Sequence, residues 1–362
     1  MKKTLFILNE GVYPYRTGGM EIFNYHLIRS LSEKGPIAYM GSHKYDFDSA
    51  EFVKSCTFKP TKFFTPLWLL IFLIFHKGYK QVVFSFSSAH WLVWKIYTIT
   101  VKLLGLESIV VIHHGKEAPR IKTEIYKDFF KSAKTVVAVS DAIKDNYDKA
   151  YGLDCKIIYP LIPFKTASYS SEYYRDVYSV PRNSNVIIMV GTLKQMKNPQ
   201  TLLKALMLFD KHELEFYKPY VVYAGSGPMV EELQQYVENQ SISEYVKFLG
   251  IIPNDKICEI MCIADIYVIA SDFEGTSVSL LEAMYNCKPI IASDVPGLRD
   301  MITDGTDGLL FDVKSATELK SKLIYFLSNS EFRNRMGMAA EETFKSKYDY
   351  AKIIDMYQDI LR

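Results

Sequence analysis

The sequence predicts an α/β protein made of two Rossmann-like, doubly wound domains that face each other across a cleft. Two observations lead there. Short apolar runs alternate with longer amphipathic segments along the chain, as expected of parallel strands buried on both faces and helices buried on one. A stretch rich in Ser, Tyr and Pro, residues 160–183, divides these runs into two sets and reads as the linker. With 362 residues, 49% of them hydrophobic, the chain has material for two cores of ordinary size. The expected domains are 1–162 and 163–345, with a terminal helix in 346–362.

The strand candidates of the first half are 4–8, 36–40, 81–86, 108–112, 135–139 and 155–159. The first follows Met1-Lys2-Lys3 and briefly mimics a secretion signal, but Asn9 and Glu10 cut its apolar run short. Gly18-Gly19 then precedes a helical pattern of Ile22, Phe23, Leu27, Ile28 and Leu31. Such a pair either lets backbone approach a ligand or is a plain flexible turn. Run 108–112 ends in His113-His114-Gly115, either a side chain aimed into the cleft or a satisfied polar terminus. Run 135–139 ends in Ser140, suited to cap the next helix.

The second half offers 185–190, 219–224, 246–249, 266–270, 289–292 and 308–311. The run 185–190 leads into Gly191-Thr192-Leu193-Lys194-Gln195-Met196-Lys197, and 219–224 into Gly225-Ser226-Gly227-Pro228. A lysine at the start of a helix opposes the helix dipole, a conflict that a bound anion removes. After the apolar run 264–270 comes Ser271-Asp272-Phe273-Glu274-Gly275-Thr276-Ser277, then a helix carrying Val278, Leu281, Met284 and Tyr285 at helical spacing. A carboxylate, a glycine and small residues before a helix expose backbone N–H groups to an anion. Glu274 in the loop and Glu282 about two turns into the helix would grip a ligand with phosphate in the middle and hydroxyls at both ends. A nucleotide sugar is such a ligand. Two carboxylates at this separation can also be solvated surface charges.

A net charge of +2 argues against a nucleic-acid binder. The five cysteines (56, 155, 258, 262, 287) are odd in number and scattered. Cys258 and Cys262 lie one helical turn apart without further ligands, so they read as buried thiols in a reducing cytoplasm. No G-x-G-x-x-G spacing supports a nicotinamide enzyme. Residues 52–106 contain no Asp or Glu, yet hold seven lysines (54, 59, 62, 77, 80, 95, 102) and all three tryptophans (68, 91, 94). The apolar segment 63–75 is too short to cross a bilayer but suited to its surface. Residues 54–102 are therefore expected to meet a membrane surface, the alternative being a buried helix rimmed by lysines.

Taken together and in order, these motifs resemble the retaining glycosyltransferases of family 4, also called group 1. The resemblance runs from Gly18 to Leu310, through Lys288-Pro289-Ile290-Ile291-Ala292, Asp294-Val295-Pro296-Gly297 and Asp304-Gly305-Thr306-Asp307-Gly308. It implies the two-domain GT-B fold, with the last helix packing back on the first domain. It further implies transfer of a sugar from a nucleotide diphosphate donor, a UDP-sugar, to a lipid-linked or growing polysaccharide acceptor, with retention at the anomeric carbon. Glu274 would hold sugar hydroxyls, Glu282 the ribose, and Lys197 the departing diphosphate, helped by Lys194. His114, with His113 as the second match, would touch donor sugar or acceptor. Gly18, Gly19, Gly191, Thr192, Gly225, Gly275, Thr276 and Ser277 fall where the family meets the donor, and Leu249 where backbone meets the base.

Thr192 stands where an Arg is usual, which questions the two-cation clamp, and Asp300 stands where Glu is commoner. The motifs offer no D-x-D for a catalytic divalent metal, so no metal or other cofactor is expected, a reading that passes over Asp46-Phe47-Asp48. The expected location is the cytoplasm, peripheral on the inner face of the membrane. A nucleotide-sugar 2-epimerase and an inactive nucleotide-sugar-binding subunit are the alternatives the resemblance leaves open.

Overall fold

A computed structural model describes residues 2–8, 19–41, 44, 47, 49–54, 65–86, 91–113, 124–160 and 163–362. They form two compact units, one of residues 1–163 and 348–362, the other of residues 164–347.

The first unit holds seven parallel strands: β1 (Thr4–Ile7), β2 (Ile37–Gly41), β3 (Glu51–Lys54), β4 (Gln81–Phe86), β5 (Glu107–Ile112), β6 (Thr135–Ala138) and β7 (Lys156–Ile157). Their order is β3-β2-β1-β4-β5-β6-β7. Every residue of β1, β2 and β4 is buried, which is why these strands read as continuous apolar runs. The helices are α1 (Gly19–Ser32), α2 (Thr65–Phe75), α3 (Trp91–Leu103), α4 (Glu124–Ser132) and α5 (Asp141–Tyr151). The crossovers carrying α2 to α5 all advance in one direction across the sheet, so the right-handed rule puts them on one face. There α2 packs on α3, and α3 on α4. Beneath them Trp94 packs against Phe86 and Phe129, with centroids 4.7 and 4.6 Å apart. Ser140 caps α5, accepting from the Ile143 N–H at 3.3 Å.

The second unit holds six parallel strands: β8 (Asn185–Val190), β9 (Pro219–Ala224), β10 (Val246–Gly250), β11 (Ile266–Ile269), β12 (Ile290–Ser293) and β13 (Leu309–Phe311). They run in the order β10-β9-β8-β11-β12-β13. Its helices are α6 (Ser171–Val177), α7 (Pro199–Met207), α8 (Lys211–Tyr217), α9 (Val230–Asn239), α10 (Ile257–Ile263), α11 (Val278–Tyr285), α12 (Pro296–Arg299), α13 (Ala316–Ser328) and α14 (Ser330–Lys347). After α14 the chain enters α15 (Tyr350–Ile360), whose Ile353, Ile354, Tyr357 and Ile360 are buried in the core of the first unit.

Three features depart from the sequence reading. Strand β3 was not foreseen: Glu51 and Lys54 bound only two apolar residues, too short a run to register. The predicted strand at 155–159 is two residues long. The supposed linker is largely part of the second unit. It contains α6, whose buried Arg175 donates to Asp265 at 2.7 Å, to the Ile263 carbonyl at 3.2 Å and to the Ser184 carbonyl at 2.9 Å. A buried guanidinium whose two terminal nitrogens donate to several acceptors fixes this segment to the sheet.

Candidate functional site

In the second unit the strand order reverses between β8 and β11, which lie side by side. Loops that diverge at such a point leave room at the carboxyl ends of the strands, where open α/β sheets bind ligands. The loop after β8 contains Gly191, Thr192, Leu193 and Lys194, then a single 3₁₀ turn (Gln195–Lys197) before α7. The loop after β11 runs from Ala270 to Ser277, which caps α11 by accepting from the Leu280 N–H at 3.4 Å.

The two loops are stitched together. The Asp272 N–H donates to the Met196 carbonyl at 2.9 Å, and Asn198 donates to the Asp272 carboxylate at 2.6 Å. Lys197 donates to Glu274 Oε1, which also accepts from the Ser271 hydroxyl at 2.6 Å. The Ser271 carbonyl accepts from Ser293 Oγ on β12 at 2.6 Å. Glu274 is nine-tenths buried, and the Lys197 side chain is 25% exposed. Lys197 ends the 3₁₀ turn two residues before α7, and the conflict with the helix dipole is met by Glu274. Its charge and that of a buried carboxylate offset each other, where either alone would cost several kcal/mol.

Backbone packing explains two glycines that sequence motifs alone leave ambiguous. A Cβ on Gly225, whose φ is +149°, would lie 1.9 Å from the Gly191 carbonyl oxygen. Gly225 therefore lets the loop after β9 press on the loop after β8. A Cβ on Gly297, in α12, would lie 2.0 Å from the Glu274 carbonyl oxygen. Gly297 thus seats the Glu274 loop, a role its place in the motif did not reveal. Ser271, the hydroxyl partner of Glu274, was also missed, because serine after a strand is too common to signal anything.

Glu282 is on α11, a little over one turn from its start rather than about two. It is 8% exposed. Burial alone pushes its carboxyl up to about 8, with no compensating charge or hydrogen bond among the described residues. The buried Tyr267 of β11 feels both Glu274 and Glu282, so the two acids share one neighbourhood. Its hydroxyl, raised chiefly by burial, donates to Ser279 at 2.8 Å. Thr192 is exposed, while Gly191, Lys194, Leu249, Gly275 and Thr276 are half-buried. A small cavity lies between Gly191, Thr192, Lys197 and Ser271. A larger one, about 260 Å³, opens beside it among Asn198, Lys204, Asp272 and Lys314.

Gly18 and His114 lie outside the described residues. Gly19 begins α1. His113 is buried, edge-on to Phe23 of α1 at 4.9 Å, so the second candidate at this strand end is a packed core side chain. Cys258 and Cys262 are half-buried, and Cys262 donates to the Tyr169 carbonyl at 3.7 Å. Among the described residues no cluster of His, Cys, Asp and Glu is disposed to hold a metal. The first half does contain one D-x-D tripeptide, Asp46-Phe47-Asp48. Phe47 is buried against Tyr25 and Tyr39, and the two aspartates lie outside the described residues.

Comparison with known proteins places this geometry. Residues 170–343 match the family model of glycosyl transferases group 1. The N-acetyl-alpha-D-glucosaminyl L-malate synthase of Bacillus anthracis is 27% identical over 183 residues, which are 51% of this chain and 46% of that protein. In Campylobacter jejuni, the GalNAc-alpha-(1->4)-GalNAc-alpha-(1->3)-diNAcBac-PP-undecaprenol alpha-1,4-N-acetyl-D-galactosaminyltransferase is 28% identical over 255 residues, 67% of this chain and 65% of that protein. The chain thus spans about half to two thirds of the length of these relatives. The crystal structure of Anabaena Alr3699/HepE in complex with UDP superimposes with a TM-score of 0.81 at 17% identity, covering 100% of this chain and 99% of that one. Two parallel-sheet α/β domains of this kind are the fold of GT-B glycosyltransferases.

Proposed function

We propose that this protein is a retaining glycosyltransferase of family 4. It moves a hexose from a nucleotide diphosphate donor, a UDP-sugar, to a lipid-linked or growing polysaccharide acceptor in cell-surface glycan synthesis. The observation that carries the proposal is the convergence of Lys197, Glu274 and Glu282 where β8 and β11 diverge. A cation, a carboxylate already held by hydrogen bonds, and an uncompensated buried carboxyl fit the diphosphate, the sugar and the ribose of one elongated donor. The matched family model covers this unit, a UDP complex shares the fold, and a similar enzyme is named for a lipid-linked substrate.

The chemistry asked of these residues is positioning and charge stabilisation. Lys197, turned from Glu274 toward the donor, offsets the charge that builds on the departing diphosphate. Glu274, released by Lys197 but still held by Ser271, accepts from sugar hydroxyls and holds the anomeric carbon so that the acceptor attacks on the face the diphosphate leaves, which retains the configuration. Glu282 meets the ribose. On this reading His114 contacts the sugar or acceptor, and Gly18 and Gly19 meet the donor phosphates. Thr192, in place of an arginine, leaves Lys194 as the second cation. The transfer needs no metal. The reaction is assigned to the cytoplasmic face of a membrane, where a lipid-linked acceptor presents its phosphate at the headgroup plane.

Incubating the protein with a panel of UDP-sugars and lipid extract, and analysing products by mass spectrometry, tests the reading. A new glycoside with α configuration from an α-linked donor supports it. An epimerised donor would mean an isomerase, and bound but unchanged donor an inactive binding subunit.

A further inference from the structure

Helix α2 is apolar all round: Thr65 and Pro66 begin it, and every residue from Leu67 to Phe75 is hydrophobic. A helix of that kind is ordinarily buried on all sides. This one is not. Leu69 and Leu73 enter the core, while Leu67, Trp68, Ile71, Ile74 and Phe75 are exposed, Phe75 by 78%. The neighbouring α3 repeats the pattern. Val93, Trp94, Tyr97 and Val101 are buried, and its outer face reads Leu92, Lys95, Ile99, Lys102, Leu103. Because α2 and α3 pack side by side on one face of the sheet, these outer faces form one surface. Lys77 and Lys80, both exposed, follow α2 directly.

We propose that the outer face of α2 and α3 docks on an anionic lipid bilayer, with α2 lying in the interface and Trp68 and the lysines among the headgroups. Charge decides between occupants. No acid occurs anywhere in residues 52–106. On the adjoining α4 the two acids, Glu124 and Asp128, are matched by Lys127 and Lys131, so that helix adds no net negative charge. A second copy seated symmetrically on this face would set lysines against lysines with no carboxylate from either helix to receive them. Lipid phosphates supply the missing negative charge, and acyl chains accept the apolar stripe. At 11 residues α2 is about 16 Å long, about half the hydrocarbon thickness, so it lies in the surface and does not cross.

The surface rests on the peripheral placement proposed above but uses none of the donor-site residues, so the two readings fail separately. Flotation of the full chain with vesicles tests it, comparing phosphatidylcholine alone with phosphatidylcholine containing about 30% phosphatidylglycerol. Binding should be at least tenfold stronger to the anionic vesicles and should fall away near 0.5 M salt, where the Debye length is about 4 Å. Each Lys→Gln change at 77, 80, 95 or 102 should lower partitioning about fivefold. I71S/F75S should abolish it with melting temperature and UDP binding unchanged, both residues being on the outer face. Equal binding to neutral vesicles, no flotation, or wild-type flotation of I71S/F75S would overturn the proposal. A dimer in sedimentation that I71S/F75S dissociates would give the face to a second copy instead.

Discussion

Replacing Glu282 by Gln isolates the energetic cost of the buried acid. Burial holds its carboxyl at about 8, against about 4.5 for a solvated glutamate. A raised carboxyl favours the folded state only while it is protonated. The contribution is therefore intact below about pH 4.5, is lost as pH climbs, and is gone above about pH 8. The difference between those limits is on the order of 4–5 kcal/mol. Gln keeps the shape and cannot ionise, so the E282Q variant should match the parent at pH 5 and be more stable by a few kcal/mol at pH 8.5. Calorimetric melting across that range measures the gap. All three tryptophans lie in the first unit, so their fluorescence gives an internal control that should not move. A gap that stays constant from pH 5 to 8.5 would refute the claim that Glu282 is buried without compensation.

Other consequences are as direct. Glu282→Ala should weaken UDP binding by roughly 1.5–3 kcal/mol in calorimetric titration, and unchanged affinity in a folded variant would remove its ribose role. Glu274→Gln should lower turnover about 100-fold while leaving UDP affinity nearly intact; wild-type turnover would dismiss it from the reacting end. Lys197→Met and Glu274→Gln should each destabilise the fold more than the double variant does, since either alone leaves one partner without the other; additive losses would show that the pair is not coupled. Gly225→Ala should cost about 3 kcal/mol or more in denaturant melts, because its Cβ would strike the Gly191 carbonyl. Transfer should survive EDTA, and a loss restored by magnesium or manganese would turn attention to Asp46 and Asp48.

The architecture was legible because strands buried on both faces leave unbroken apolar runs, and twelve of the thirteen strands overlap such runs. The exception, β3, sits at a sheet edge and carries Glu51, paired with Lys3 at 3.0 Å, so its burial is partial and its run broken. The acids near α11 and the lysine after β8 were legible as types at a spacing. What they do to one another was not. Lys197 and Glu274 are 77 positions apart, and only the pairing of β8 with β11 brings them together. Helix signals misplaced Glu282 by most of a turn, because Ser277, not an earlier loop residue, is the cap. The linker was misread for a related reason. Tyr, Ser and Pro suggest an open segment, and the buried contacts of Arg175 that close it run to residues 88 and 90 positions away.

Two acids in one protein neighbourhood usually repel, and each must be accommodated before a ligand arrives. This site does so in two different ways. Glu274 is paired with Lys197 and accepts a hydrogen bond from Ser271. Glu282 has no such partner among the described residues, and burial raises its carboxyl so that it holds its proton. The difference suits the roles proposed for them. A carboxylate meant to grip sugar hydroxyls beside a departing diphosphate gains from a cation that can be handed over to the phosphates in the same step. A carboxyl meant to meet a ribose needs only hydroxyl partners, and a proton is easily surrendered when they come. If the proposed roles hold, binding of the donor near neutral pH would release a proton from Glu282 and a lysine from Glu274, so part of the donor's binding energy would be spent on rearranging charge at the site.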